Sequence, residues 1–170
     1  MARYEIQPER SQVKIAARSS LHPIDAVTPG LEGFFEAEVG DDGTIDLSVP
    51  ARGRLELPVD RLKSGNSLYD REMKRRIEAQ KYHNITGELR EMKPAETAGR
   101  YVVGGDVTFR GVTRYFEEEM SFSVVDSNSV SLEGAHVFDI RDFQMEPPKI
   151  MMLKVYPDVS VTVTIVAVAS

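Results

Sequence analysis

The sequence predicts an all-β protein, an eight-stranded antiparallel barrel with one amphipathic helix after the third or fourth strand. Three observations support this. Apolar residues recur at every second position through most of the chain, as on strands with one buried and one wet face. Clusters of Asp, Asn, Ser, Gly and Pro separate these runs. A single segment shifts to spacings of three and four, the helical period.

In chain order the alternating sets are Val13, Ile15, Ala17; Phe35, Ala37, Val39; and Leu55, Leu57, Val59, followed by a strand around Ile85 to Met92. Four more follow: Val103, Gly105, Val107, Phe109; Phe116, Glu118, Met120, Phe122, Val124; Val130, Leu132, Gly134, His136, Phe138, Ile140; and Val159, Val161, Val163, Ile165. The last set alternates with Ser160, Thr162 and Thr164 and is rich in β-branched residues, which suit a strand and crowd a helix. Asp41-Asp42-Gly43, Pro94 to Gly99 and Asp126-Ser127-Asn128-Ser129 read as turns, and Gly111-Val112-Thr113 as a further tight reversal. Between Ser67 and Lys81, Tyr69, Met73, Ile77 and Gln80 share one helical face, with Asn66 or Ser67 as the N-cap and Asp70 and Glu72 in the first turn. The proline-bearing stretches Leu21 to Leu31 and Glu146 to Tyr156 read as mobile loops. A meander of this kind removes its exposed edges by closing, and eight strands enclose enough space for side chains and a slender ligand.

Composition narrows the functional classes. At 41% hydrophobic and 28% charged, the 170 residues fit one folded domain, 1–170, with no repeat or low-complexity segment. The 27 acidic and 21 basic side chains give a formal charge of -6, which argues against nucleic acid as a partner. The absence of cysteine removes disulfides, thiolate metal sites and a Cys nucleophile together. The N-terminal Met1 to Pro8 contains no apolar run, so no transmembrane segment or leader is read there and the expected location is cytoplasmic. Oligomeric state is left open, with a homodimer among the options.

The order of motifs is distinctive. Ser11 precedes the first alternating strand and Gly33-Phe34-Phe35 opens the next. Asn66-Ser67-Leu68-Tyr69-Asp70-Arg71 begins the helix, Gly105-x-x-Thr108-x-x-Gly111-Val112-Thr113 spans a hairpin, and Ile140-Arg141-Asp142-Phe143 precedes the last strand. In this order the motifs resemble the YceI-like family over nearly the whole chain. The resemblance implies a lipocalin-like barrel that binds a polyisoprenoid chain. Two positions depart from the family pattern: His83 stands where a proline is usual, and Gln144 where a glycine often follows Arg-x-x-Phe.

From this resemblance the expected function is non-enzymatic binding, transport or sequestration of a polyprenyl lipid or isoprenoid quinone, with no cofactor required beyond such a bound ligand. The wall candidates are Val13, Ile15, Phe35, Leu55, Leu57, Val103, Val107, Phe109, Phe122, Phe138, Val161 and Val163, with Tyr69, Met73 and Ile77 seating the helix on the barrel. Periodicity alone fits a filled core equally well. Arg71 and Arg141, each beside an acid, are candidates for a headgroup contact or for ion pairs with Asp70 and Asp142. Glu118 and His136 share the apolar phase of their strands and are the other headgroup candidates. The three scattered histidines, His22, His83 and His136, show no metal-ligand spacing, and no serine sits in a nucleophile elbow, so neither a metal site nor a catalytic residue is assigned. Two further readings remain: an enzyme acting through Glu118 or His136 on the same ligand, and a dry barrel that works through protein contacts.

Overall fold

The computed structural model describes residues 1–150 and 152–170. Its strands are β1 (Ala2–Ile6), β2 (Gln12–Ser19), β3 (Pro23–Pro29), β4 (Glu32–Ala37), β5 (Arg52–Pro58), β6 (Asn84–Pro94), β7 (Arg100–Phe109), β8 (Val112–Asp126), β9 (Ser129–Asp139), β10 (Lys149–Ile150) and β11 (Leu153–Ala169), with the helix α1 at Ser67–Ile77. The ring runs β1-β4-β5-β6-β7-β8-β9-β11 and closes by pairing β11 with β1, an eight-stranded antiparallel barrel. The helix follows the third of these ring strands, β5.

β2 and β3 extend this ring. Val155 to Thr164 of β11 pair with β2, and Ala167 to Ala169 pair with β1, so β1 and β2 lie end to end along the same strand. Ser11 bridges the break between them. Its buried hydroxyl accepts from the Val166 N–H at 3.0 Å and donates at 3.2 Å to the Val166 carbonyl, which also accepts from the Gln7 N–H at 2.8 Å.

The first proline-rich stretch is a strand, where the sequence suggested a loop. β3 pairs with β2 without interruption from Arg18↔Pro23 to Gln12↔Pro29. Ile24, Ala26 and Thr28 alternate with the more exposed Asp25 and Val27, and the prolines stand at the two ends of an edge strand, where a missing donor does least harm. The second stretch also contributes to the sheet: β10 and the start of β11 form a hairpin, and Leu153 and Val155 are buried. Met151 of that stretch lies outside the described residues. The β7–β8 reversal falls one residue earlier than expected, at Arg110-Gly111 with φ of 53° and 75°, which fits the two-residue turn that matches strand twist.

The helix forms as its cap predicts. The Asn66 side-chain oxygen accepts from the N–H groups of Leu68 and Tyr69, at 3.0 and 3.2 Å, and the helix stops at Glu78, whose left-handed φ of 60° ends the turn before Lys81. Val59 and Ile140, expected at strand ends, instead enter short 3₁₀ turns, Val59–Arg61 and Ile140–Phe143. With Ile77 and Met145 they form a small apolar cluster under the helix. Among the described residues no helix is long and apolar enough to cross a membrane.

Candidate functional site: a cavity between two closed ends

The barrel is filled at the end away from the helix. Tyr4, Phe35, Tyr101 and Phe122 pack ring against ring with Leu132, Val130 and Ile165. The loop after β4 covers them, held where the Ile45 N–H donates to the Tyr101 hydroxyl at 3.0 Å. At the other end sit α1 and the two 3₁₀ turns, joined to the barrel by Arg110. Its guanidinium donates to the carbonyls of Arg76 (3.1 Å), Phe143 (3.3 Å) and Gln144 (2.7 Å) and pairs with Glu78 at 3.3 Å. These bonds satisfy carbonyls at the C-terminal ends of α1 and of the Ile140–Phe143 turn and hold an arginine in the left-handed backbone that the β7–β8 turn requires.

Between the closed ends lies a cavity of about 200 Å³. Phe35, Leu55, Leu89, Met92, Val103, Val107, Phe116, Met120 and Phe138 line it. Three glycines on neighbouring strands, Gly53, Gly87 and Gly105, also line it and contribute no side chain to fill it. A Cβ at Gly105 would fall 2.7 Å from the Glu88 carbonyl oxygen, so this position accepts only glycine without a shift of the strand. A second apolar space of about 110 Å³ lies between α1 and the β2–β3 extension, lined by Ile15, Ala17, Ile24, Ala26, Tyr69, Met73 and Ile77 among others. The two share no lining residue.

Two polar side chains on the inward strand phase reach the first cavity. Glu118 and His136 meet at 2.7 Å, Oε2 to Nδ1. The β8–β9 ladder pairs Met120 with Gly134, and the same register continued by two residues sets Glu118 opposite His136 and Phe116 opposite Phe138. The charged residues of the other phase pair among themselves: Arg54 with Glu88 at 3.8 Å, and Arg90 with Asp106 at 2.7 Å.

The remaining wall candidates lie elsewhere. Ile15 lines the second space. Val13, Leu57 and Phe122 are buried in the packed core, and Val161 and Val163 lie against it. Phe109 sits under the helix, edge-on to Phe143 with ring centroids 5.6 Å apart. Neither arginine candidate lines either cavity. Arg71 is exposed, and Asp70 accepts from the Ser64 N–H and hydroxyl instead of pairing with it. Arg141 pairs with Asp139 at 2.7 Å rather than with Asp142, and its hydrogen bonds hold the Asp139 carboxyl below the ordinary aspartate range. Sequence reasoning missed the glycines as cavity formers, Met92 and Leu89 as wall residues, and Arg110 as the link between the helix and the barrel. The hairpin register, set by the turn at Ser127-Asn128, was the available signal for the Glu118–His136 contact.

The chain matches the YceI-like domain over residues 4–167. It belongs to the YceI-like family. No curated protein matches it. Among solved structures, this YceI-like chain is similar to BcnA of Burkholderia cenocepacia, with TM-score 0.77 and 12% identity over 95% of this chain and 98% of that one. It is equally similar to a polyisoprenoid binding domain from Saccharophagus degradans implicated in plant cell wall breakdown (TM-score 0.77, 12% identity, 100% of both chains). The Campylobacter jejuni YceI protein has TM-score 0.68 and 10% identity, covering 86% of this chain and 85% of that one. At these identities the structures establish the shared fold.

The YceI-like chain's two departures from the family pattern have physical readings. Gln144 ends the Ile140–Phe143 turn with φ of 59°, a left-handed position that glycine occupies at less cost. At His83 the structure uses the backbone carbonyl, which accepts from the Val59 N–H at 2.8 Å. A proline supplies that carbonyl equally well, so the departure forgoes a backbone constraint and no hydrogen bond.

Proposed function

We propose that the barrel binds and shields the apolar chain of a polyprenyl lipid or isoprenoid quinone, as a non-enzymatic carrier or sequestering protein. The observation that carries this reading is the apolar mid-barrel cavity, bordered by three glycines and lying between two clusters of packed side chains. The polyisoprenoid binding domain among its structural neighbours supports the same class of ligand. Burying about 300 Å² of apolar chain contributes roughly 7 to 8 kcal/mol before ordering costs, enough for useful affinity with no covalent step.

The cavity of about 200 Å³ is smaller than most ligand pockets, which start near 300 Å³. A long chain therefore has to displace wall side chains. Met92 and Met120 are suited to this, being unbranched and flexible, and Met120 lies folded over Gly134.

Titration with prenyl alcohols of increasing length tests the reading. Affinity should rise with each added unit until the accessible space is filled, because each buried methylene contributes about 0.8 kcal/mol. Affinity that is flat with length overturns it. The Glu118–His136 pair gives the enzyme reading its one structural argument, since a carboxylate-oriented imidazole is a general-base arrangement. Mass spectrometry of the extracted ligand separates the two: a chain retained unchanged supports the carrier, and its conversion supports the enzyme.

A further inference from the structure

We propose that the Glu118–His136 pair makes the cavity selective for prenyl chains ending in a hydroxyl, an alcohol or a quinol, and excludes phosphorylated ones. This rests on the carrier reading above and adds the chemistry of the ligand head.

The pair presents acceptors. A carboxylate accepts hydrogen bonds and donates none, so with Glu118 ionised the 2.7 Å contact is made by the tautomer that carries its proton on His136 Nδ1. The carboxylate is held at its other oxygen too, where Oε1 accepts from the Glu119 N–H at 3.1 Å. Phe116 and Phe138 flank the imidazole, with ring centroids 5.2 and 4.6 Å from it. Nδ1 is thus committed, and in the neutral ring Nε2 is a lone-pair acceptor with no protein partner among the described residues. An O–H on the ligand head supplies the missing donor. An ether oxygen finds none.

A phosphate fares worse. It brings negative charge next to the Glu118 carboxylate, and because that side chain is partly exposed the repulsion is moderate and shrinks with added salt. Of the arginines that would offset it, Arg54 pairs with Glu88, while Arg71 and Arg141 lie outside the cavity.

The test compares farnesol, farnesyl methyl ether and farnesyl pyrophosphate on wild-type protein and on the His136→Phe and Glu118→Gln variants. The ether reports the chain site alone. Wild type should bind farnesol about tenfold more tightly than the ether, the factor expected from one satisfied hydrogen bond, and should bind the pyrophosphate most weakly. His136→Phe should bring the farnesol-to-ether affinity ratio from about ten down to about one, whatever the added ring does to the ether's own affinity. Glu118→Gln keeps the side chain's shape, removes the charge and should tighten pyrophosphate binding relative to the ether. Equal wild-type affinities for alcohol and ether, pyrophosphate binding as tight as farnesol, or an equal loss for alcohol and ether in His136→Phe each overturn the proposal while the carrier reading stands. Failure of all three ligands to bind wild type overturns both.

Discussion

The closed end of the barrel and its hollow middle are built on the same strands, a few residues apart. On β4 and β8, Phe35 and Phe122 meet with ring centroids 6.1 Å apart in the filled end. Further along the sheet the inward positions of β5, β6 and β7 carry Gly53, Gly87 and Gly105. Backbone geometry and strand phase are alike in the two regions. The volume of the inward side chains differs, and that volume decides whether the interior is core or cavity.

The largest expected effect breaks the filled end. Phe122→Ala removes a ring packed against Phe35 and Tyr101 and should destabilise the protein by about 3 to 5 kcal/mol, read by chemical denaturation. The opposite change in the hollow middle sharpens the contrast. Val107→Trp adds bulk beside the cavity, so ligand-free stability should stay near that of wild type while long-chain binding is lost. In a filled region overpacking costs about 1 to 3 kcal/mol, and a loss of that size in Val107→Trp would show that the middle is no more accommodating than the end.

Smaller effects are expected outside the barrel interior. Gln144→Gly should stabilise the protein by about 1 kcal/mol, seen as a raised Tm, because glycine relieves the left-handed backbone at φ 59°. Arg141→Met should change little beyond the titration of Asp139. NMR should find the Asp139 midpoint below the ordinary aspartate value in wild type and returned toward it in the variant. Since the folded midpoint is the lowered one, the pair's contribution to stability is present above the unfolded midpoint and fades as pH falls through the folded one. Both side chains are largely exposed, so this contribution is small.

The sequence carried the strand phases well, because one buried face imposes a period of two. The helix start was legible because an asparagine cap has few alternative roles, and the inward direction of Glu118 and His136 followed from phase alone. Their contact needed register, which depends on the geometry of a turn between partners. β3 was hidden because Pro23 and Pro29 read as loop signals, although at the ends of an edge strand they are harmless. Arg110 was hidden because its carbonyl partners belong to two segments distant in sequence. The cavity was hidden because a glycine in a strand pattern signals a bend as readily as an empty volume.

The barrel closes through its latest strand. β11 pairs with β1, β2, β9 and β10, and the closing contacts join Tyr4 to Ala169 and Ile6 to Ala167. While the chain is being synthesised, every strand up to β9 can pair with a neighbour, yet the sheet keeps two open edges until residues 153–169 have left the ribosome. Joining β1 to β11, whose paired residues lie more than 150 positions apart, is a slow kind of step for a β-protein, because loop-closure entropy is lost before any of the closing contacts form. The nascent protein therefore passes through an open sheet whose apolar lining faces water, the stage at which it is most exposed to aggregation.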